Sequence, residues 1–356
     1  MMAHRPIRTA VLGYGVSGRV FHAPLIAADP SYSLDVIVTG DPARAARAAE
    51  HHPRARVVAD DRELFTLVDS GELELDLVVL GTPPGRHTDQ AVAAIERELH
   101  VVVDKPFVPT AAAGEELIRR AEAAGVVLTV FQNRRWDADF LTLRRLVESG
   151  ALGQVRTFES RFEWWMPEGF GSWKDETPVA KAGGILHDLG AHLIDQALQL
   201  FGPVRDVHAE LARYGEPEVS DADQDAFVSL LHESGVRSRL WMNGLAAQVG
   251  PRFHVLGSEA AYTKWGLDGQ EPALGAGVSP DDPAYGVEPP EQWGVLGTDE
   301  ALTPVPASRG NYPAFYRQLA ACLREGGPVP VAPADSVEVL RIIEHAHGPD
   351  HSLVVL

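Results

Sequence analysis

The chain has little cysteine, few basic side chains and no long apolar run. Its 356 residues include one cysteine, Cys322, so neither an intrachain disulfide framework nor a zinc centre made of cysteines is possible. No apolar stretch approaches the roughly 18 residues of a membrane span. The 31 basic residues face 50 acidic ones, and the formal net charge of −19 repels phosphate backbones. These deficits argue against membrane and nucleic-acid partners, and with a polar start that lacks a targeting signal they predict a cytoplasmic protein.

The remaining composition is that of an ordinary globular protein, and a chain of this length usually forms two domains. Strand-like and helix-like segments alternate at first, which predicts an α/β domain (residues 1–130) with a doubly wound parallel sheet. Consecutive strands then predict an α+β domain (residues 131–356) with a mostly antiparallel sheet, whose last helix is a candidate to pack back on the first domain. Residues 268–303 are rich in glycine, proline and acidic side chains and predict a long surface excursion.

A glycine pattern follows the first predicted strand. The strand covers Ile7 to Leu12, and a helix is predicted over residues 17–28. The glycine pattern consists of Gly13, Tyr14, Gly15, Val16, Ser17 and Gly18. It covers the loop after the strand and the first two residues of the predicted helix. In a βαβ unit, the first glycine makes the tight turn, the second admits a pyrophosphate and the third allows close helix packing. A purely structural turn is the alternative, but the flanking strand and helix favour a dinucleotide site.

Another loop follows the predicted strand DLVVL. It reads GTPP and is followed by His87. Ligands of parallel sheets bind beyond the carboxyl ends of the strands, so Thr82, Pro83 and His87 are candidate cofactor contacts. A proline-bent turn with a capping threonine explains the same residues equally well.

A lysine follows the predicted strand VVV, in the motif Asp104-Lys105-Pro106. At this strand end, Lys105 is a candidate to hold a substrate hydroxyl and to stabilise the alkoxide as hydride leaves. The alternative is a solvated lysine on a turn, and taken alone this motif does not decide between the two.

Residues 183–202, GGILHDLGAHLIDQALQLFG, predict a helix with a polar face. Asp188 and His192 are four residues apart and therefore share that face. An imidazole suits proton transfer near neutral pH, and a carboxylate one turn away can hydrogen-bond it or the substrate. One alternative is a capping Asp with a surface His. Another is a metal site that adds His187, but His187 lies off the shared face, so no metal is predicted.

Five segments, in order, resemble the Gfo/Idh/MocA family of NAD(P)-dependent oxidoreductases over nearly the whole chain. They are GYGVSGRVFHAP, GTPPGRH, VDKPF, QNRRWDADF and GGILHDLGAHLIDQALQLFG. The segments GRVFHAPLI and QNRRWD are most similar to the branch of the family that contains the NADP-preferring scyllo-inositol dehydrogenases. The resemblance implies an N-terminal Rossmann domain and a C-terminal domain with a large open sheet. It also implies a homodimer or homotetramer, because that sheet often makes the subunit contacts.

The resemblance also implies roles for particular residues. The family's Glu-Lys-Pro corresponds here to Asp104-Lys105-Pro106, a departure that keeps the lysine, and its Asp-x-x-x-His pair falls on Asp188 and His192. His192 would be the general acid/base and Lys105 the residue that orients substrate and stabilises the alkoxide. Asp188 would hydrogen-bond the sugar or His192. Lys105 and Asn133, in the QNRRWD segment, join the predicted cofactor-binding residues.

The end of the second predicted strand bears on the choice of cofactor. An NAD enzyme usually places an acidic side chain there, on the ribose 2′-hydroxyl. Here the strand ends Thr39-Gly40, and Asp41 comes one or two positions late. Thr39 can bond a 2′-phosphate, Gly40 lets it approach, and Arg44 can pair with it, which resembles the NADP-binding members. NADP is therefore favoured over NAD, and NAD remains the alternative if Asp41 turns to the ribose.

The implied activity is hydride transfer between nicotinamide and a ring hydroxyl or carbonyl of a sugar or an inositol-like cyclic polyol. Aromatic faces suit sugar rings, which makes Trp165, beside Trp164 and Trp173, a candidate substrate contact, with core packing as the alternative. The segment 262–293 is a candidate cap over the site. Two rival functions stay open: a non-catalytic NAD(P)-binding regulator, and a reductase of a non-sugar carbonyl or imine.

Overall fold

The computed structural model describes residues 5–169, 176–214, 220–348 and 353–355. Within these ranges the strands form two sheets, one of six strands and one of nine. The helices of the same ranges are too short or too polar to cross a lipid bilayer.

The six-stranded sheet is parallel throughout. Its strands are β1 (Ile7–Leu12), β2 (Tyr32–Val38), β3 (Arg56–Val58), β4 (Leu77–Leu80), β5 (His100–Asp104) and β6 (Leu128–Phe131). The helices that alternate with them are α1 (Ala23–Ala28), α2 (Pro42–His51), α3 (Asp61–Asp69), α4 (His87–Ile95) and α5 (Ala111–Ala124). The strand order β3-β2-β1-β4-β5-β6 is that of a doubly wound Rossmann sheet, as the alternation of segments predicted.

Local sequence signals set the ends of these elements. The Oγ1 atom of Thr110 accepts a hydrogen bond from Ala113 N at 3.2 Å, and Gly125 ends α5 in the left-handed region with φ of 67°. The strands β4 and β5 are apolar on both faces because helices cover both sides of a parallel sheet. The predicted strands DLVVL and VVV are therefore observed as β4 and β5.

The nine-stranded sheet is mostly antiparallel. Its strands are β7 (Thr157–Glu163), β8 (Val204–Arg213), β9 (Asp225–His232), β10 (Arg237–Asn243), β11 (Phe253–Leu256), β12 (Ala261–Lys264), β13 (Gly294–Thr298), β14 (Ala301–Val305) and β15 (Leu353–Val355). They lie in the order β14-β13-β12-β11-β7-β10-β9-β8-β15, in which β7 with β10 and β8 with β15 are the parallel pairs. Buried residues alternate with partly exposed ones along β9, so one face of the sheet is covered.

The later helices lie between the two sheets or beside them. They are α6 (Ala138–Glu148), α7 (Ala191–Phe201), α8 (Gln270–Gly275), α9 (Pro313–Glu325) and α10 (Pro333–Ala346). The Tyr32 hydroxyl donates to Tyr316 O at 2.7 Å, which joins α9 to β2, and α10 packs against α5. The last helices thus contact the first sheet, while the division of the chain at residue 130 stays a prediction.

The prediction of a plain surface excursion over residues 268–303 is wrong. This stretch contains α8 and β13, and both Asp268 and Gln270 are buried. The Asp268 carboxylate accepts hydrogen bonds from the backbone N–H groups of Ala138 and Gln270, each at 2.7 Å. Composition misled because the glycines and prolines separate short elements that are stabilised by tertiary pairing rather than by their own propensity.

Candidate active site

The glycines of the first loop are required by close backbone packing. Gly13 has φ of 92°, and a β-carbon added there would lie 2.6 Å from Gly81 O. A β-carbon on Gly18 would lie only 1.9 Å from Gly13 O. The loop is therefore pressed against the carboxyl end of β4, and the first and third glycines make the turn that a dinucleotide loop needs.

The middle of the loop faces open space. A β-carbon on Gly15 would meet a single neighbour within 4 Å, the Nη1 atom of Arg44 at 3.9 Å. The Oγ atom of Ser17 is buried and has no hydrogen-bond partner among the residues that the structure describes. A glycine open on one side, an unsatisfied hydroxyl and a nearby guanidinium fit the phosphates of a dinucleotide.

The other two residues of the loop point in different directions. Tyr14 is buried and packs beneath the loop with Ile37 and Ala48, whereas Val16 is exposed. Tyr14 therefore supports the loop from below, and contact of either side chain with a cofactor stays a prediction.

The acidic side chain that follows β2 caps the next helix. The Oδ1 atom of Asp41 accepts a hydrogen bond from Arg44 N at 2.8 Å and so caps α2. Thr39 is buried at the strand end and Gly40 is exposed. The carboxylate that would compete for a ribose is thus engaged at the helix start, while the Arg44 side chain extends toward Gly15.

The loop after β4 is tied to its surroundings by two polar side chains. The Thr82 hydroxyl donates to Gln90 Oε1 at 2.6 Å. His87 is fully buried, and its two ring nitrogens lie 3.0 Å from Phe107 O and 2.8 Å from Thr82 O. His87 therefore joins this loop to the segment after Lys105. That arrangement gives His87 a supporting position, and its direct contact with a cofactor, like that of Thr82 and Pro83, stays a prediction.

Lys105 and Asp188 meet across the two sheets. The Lys105 Nζ atom donates to Asp188 Oδ1 at 2.7 Å and to Asp188 O at 3.0 Å. Their side chains are 19% and 16% exposed, so the pair lines a crevice rather than an open surface. An ion pair of this kind also fixes the position and direction of the ammonium group.

His192 lies one helical turn beyond Asp188. Asp188 is part of a π-helical turn, Leu186–Gly190, and His192 follows at the start of α7. The His192 ring is buried and packs edge-on against Phe162, with 6.2 Å between the ring centroids. The structure thus brings Lys105 into contact with Asp188, with His192 four residues further along the chain, and the catalytic roles of the three residues stay predictions.

Asp104, the residue before Lys105, also lies in this region. Asp104 Oδ1 accepts from Lys105 N at 2.8 Å, and Asp104 Oδ2 is 4.0 Å from His22 Nε2. Burial lowers the pKa of His22 to about 4, so this histidine is neutral near pH 7. Its other nitrogen is 2.7 Å from the Tyr316 hydroxyl, so His22 connects α9 to the strand end beside Lys105.

Arg134 is a charged residue of this crevice that the predictions missed. It follows Asn133, which is buried after β6, and its guanidinium lies 5.0 Å from the centre of the Phe162 ring. The Arg134 Nη2 atom donates to Glu271 Oε2 at 2.7 Å, so α8 contributes a carboxylate here. Arg134 could have been predicted as a site residue because it follows β6, the strand that neighbours β5. No comparable signal in the sequence marks Glu271.

Two of the three tryptophans that were predicted to lie near the substrate, Trp164 and Trp165, belong to the described residues. Trp165 is 58% exposed, and Trp164 is partly buried against Phe162, with ring centroids 5.7 Å apart. Trp173 lies outside the described residues. Contact of Trp165 with substrate stays a prediction.

Among the described residues, no group of three His, Cys, Asp or Glu side chains is arranged to hold a metal ion. His187, the ligand considered for a metal site, turns its Nδ1 atom to Gly183 O at 3.0 Å. Its ring stacks on that of His347.

Comparison with known proteins gives the same assignment for both halves. Residues 7–132 match the oxidoreductase family with an NAD-binding Rossmann fold, and residues 140–263 match the GFO/IDH/MocA C-terminal domain. The chain belongs to the Gfo/Idh/MocA family. The resemblance read from five motifs is therefore confirmed, and the first sheet belongs to an NAD-binding domain of an oxidoreductase.

Members of this family similar to the chain include proteins from several bacteria. The scyllo-inositol 2-dehydrogenase (NADP(+)) IolW of Bacillus subtilis is 36% identical, over 96% of this chain and 92% of the relative. The uncharacterized oxidoreductase YdgJ of Escherichia coli is also 36% identical, over 95% and 94%. The solved structure of yvaA from Bacillus subtilis has a TM-score of 0.86 at 34% identity and covers 96% of this chain and 95% of its own.

Proposed function

We propose that this oxidoreductase transfers hydride between the nicotinamide of NADP and a ring carbon that bears a hydroxyl or carbonyl group in a cyclic polyol or sugar. The observation that carries the proposal is the contact of Lys105 Nζ with Asp188 Oδ1 at 2.7 Å, at the carboxyl end of β5. The glycine loop and this contact lie at the same edge of one parallel sheet, where ligands of such sheets bind.

The cofactor, when bound, accepts or supplies the hydride at its nicotinamide ring. Gly13, Gly15 and Ser17 would hold its phosphates, with Asn133 and Lys105 near the reacting end. Lys105 Nζ donates a hydrogen bond to the reacting oxygen of the substrate and stabilises negative charge there. The His192 imidazole takes the hydroxyl proton in oxidation and returns it in reduction.

Asp188 has two tasks in this scheme. Its carboxylate orients the Lys105 ammonium, and it accepts a hydrogen bond from a substrate hydroxyl or from His192. Phe162 and the neighbouring buried side chains limit water around the His192 ring, which strengthens these hydrogen bonds.

Three observations support NADP rather than NAD. The Asp41 carboxylate is engaged in capping α2, and Arg44 Nη1 is 3.9 Å from the position of a Gly15 β-carbon. An arginine near the ribose accommodates a 2′-phosphate, whereas a free carboxylate at this place would repel it. The similar IolW enzyme bears NADP(+) in its name.

Replacing Arg44 by alanine is expected to raise the dissociation constant for NADPH about tenfold or more and to leave that for NADH nearly unchanged. The reason is that only NADPH carries the phosphate that pairs with the guanidinium, and a charged hydrogen bond contributes roughly 1.5–3 kcal/mol. Fluorescence titration of both cofactors measures the two constants. Arg54→Ala is the matched control, since Arg54 is exposed beyond the far end of α2. An equal effect of Arg44→Ala on NADH and NADPH would show that the residue does not read the 2′-phosphate.

The substrate class follows from the groups in the crevice and from the relatives. A cation, two carboxylates and an imidazole, contributed by Lys105, Asp188, Glu271 and His192, suit a ligand with several hydroxyl groups. The named relatives include an inositol dehydrogenase and a D-apiose dehydrogenase, the latter 26% identical over 76% of this chain. A screen of inositols and aldoses with NADP⁺ tests the proposal. Turnover limited to non-sugar carbonyls or imines would favour the rival reductase. Tight cofactor binding without any turnover would favour the non-catalytic regulator.

We also propose a homodimer or homotetramer formed through the nine-stranded sheet, which rests on the family resemblance. Light scattering coupled to size-exclusion chromatography measures the mass in solution. A monomeric mass at micromolar concentration would contradict this part of the proposal.

A further inference from the structure

The segment that carries Asp188 and His192 is held at its start by a residue from another part of the chain. The Asp223 Oδ2 atom accepts a hydrogen bond from Leu186 N at 2.7 Å, and Asp223 O accepts one from Ile185 N at 2.9 Å. The Asp223 side chain is only 1% exposed. These two bonds satisfy backbone donors that the start of a helical segment leaves without partners.

A glycine makes this approach possible. Gly184 has φ of 97°, and a β-carbon there would lie 2.2 Å from Asp223 Oδ1. Any larger residue would push the carboxylate away from the Leu186 amide. The close passage of Asp223 thus explains Gly184, whereas a β-carbon on Gly183 would lie 1.7 Å from Thr177 O.

The second oxygen of Asp223 binds a histidine just beyond the end of α10. His347 Nε2 is 3.1 Å from Asp223 Oδ1, and His347 Nδ1 is 3.0 Å from Ile343 O. Carboxylate and carbonyl oxygens only accept hydrogen bonds, so this position favours the protonated imidazole, in which both ring nitrogens donate. Burial lowers the pKa of His347, but the hydrogen bond and the charge of Asp223 outweigh it and raise the pKa above its ordinary value.

The other titratable groups around His347 are Asp221 and His187. Asp221 precedes β9 and adds to the rise in the pKa of His347. The His187 ring stacks on that of His347 at 5.3 Å with 17° between the planes, and burial together with the His347 charge lowers the pKa of His187 to about 4. Within this cluster, the pKa of His347 is thus shifted toward the charged form and that of His187 toward the neutral form.

We propose that Asp223 and His347 are positioning residues for the hydride transfer proposed above, on which this inference rests. The ion pair between them fixes the carboxylate that holds Leu186, two residues before Asp188. Because Asp188 must face Lys105, the register of this π-helical turn decides whether the two side chains meet. The end of α10, more than a hundred residues away in the sequence, thus sets the geometry of the catalytic carboxylate.

The proposal has a definite dependence on pH. A raised pKa means that the His347 contribution is complete below its ordinary pKa and is lost as the pH rises through the folded-state pKa. The segment 183–192 is therefore held most firmly on the acidic side and loosens at alkaline pH.

Hydrogen–deuterium exchange of the protein without cofactor tests the inference. In His347→Leu, amides of 183–192 should exchange about tenfold faster or more, after correction for intrinsic rates, while the rest of the chain is unchanged. In His347→Gln the side-chain amide still donates to Asp223, so the acceleration should be smaller and the alkaline loosening should disappear. His51→Leu, which replaces an exposed histidine at the end of α2, is the matched control.

Turnover supplies a second measurement. His347→Leu should lower kcat about tenfold with little change in KM or in the dissociation constant for NADPH, and His347→Gln should restore part of the lost kcat.

The inference is overturned if a folded His347→Leu variant exchanges its amides over residues 183–192 at the same rate as the parent protein. If that variant does not fold, Asp223→Asn replaces it: its amide oxygen still accepts from Leu186 N, but the charge is gone, so the alkaline loosening should be absent. Persistence of that loosening in Asp223→Asn would likewise overturn the inference.

The two proposals fail in different ways. Absence of turnover by the parent protein on all polyols and sugars refutes the proposed function. The exchange measurement still decides whether Asp223 and His347 hold the segment.

Discussion

Replacing Lys105 by alanine is expected to cut turnover about a hundredfold or more while NADPH binding stays nearly intact. The reason is that Lys105 Nζ lies against Asp188 at the strand end where substrate binds, and donor groups of this kind contribute mainly in the transition state. His192→Ala should have a loss of the same order, since general acid/base catalysis typically contributes about 10²–10⁴-fold. Steady-state kinetics and a fluorescence titration with NADPH measure the two quantities separately.

His51→Ala is the matched control for His192→Ala, because His51 is exposed at the end of α2, away from the crevice. Thermal unfolding shows whether each variant is folded. Normal turnover by either the Lys105 or the His192 variant would show that the assignment of the three residues is wrong. A parallel loss of NADPH binding would instead assign the residue to the cofactor.

Replacing Arg252 by methionine is expected to lower the free energy of unfolding by roughly 3–5 kcal/mol. The Arg252 side chain is 1% exposed and donates to Asp139 Oδ2 at 3.0 Å, to Ser160 Oγ at 2.5 Å and to Gln196 Oε1 at 2.7 Å. Methionine fills similar volume but leaves the Asp139 carboxylate buried without its cation. The loss therefore comes from an uncompensated charge rather than from a cavity.

Urea unfolding followed by circular dichroism measures this loss. Arg341→Ala is the control, because Arg341 pairs with Glu338 and Glu115 on the exposed surface, where ion pairs contribute little. A midpoint for Arg252→Met that falls no further than that of Arg341→Ala would contradict the prediction. Turnover is not needed for this test, so it stands apart from the proposed function.

Much of the first sheet could be predicted from the sequence because its signals are local. The strand Ile7–Leu12 was predicted with its observed bounds, since an apolar run is a signal that acts over a few residues. The short strands β12 and β13 were not predicted. They depend on pairing within the sheet and carry little propensity of their own.

The same distinction applies to the site. Lys105, Asp188 and His192 could be named because they stand in motifs that resemble a known family. Their supports could not, because the partners are far apart in the sequence: Arg134 and Glu271 by 137 positions, and Asp223 and His347 by 124. A single sequence contains no local pattern that reports such contacts.

The most direct test of the proposed hydride transfer is the reduction of NADP⁺ by the purified protein with a panel of inositols and aldoses, followed by NADPH absorbance. The account predicts that NADPH forms with at least one cyclic polyol or sugar, and that Lys105→Ala and His192→Ala lose this activity while still binding NADPH. No NADPH formation with any polyol or sugar, or formation that survives both substitutions, would contradict it.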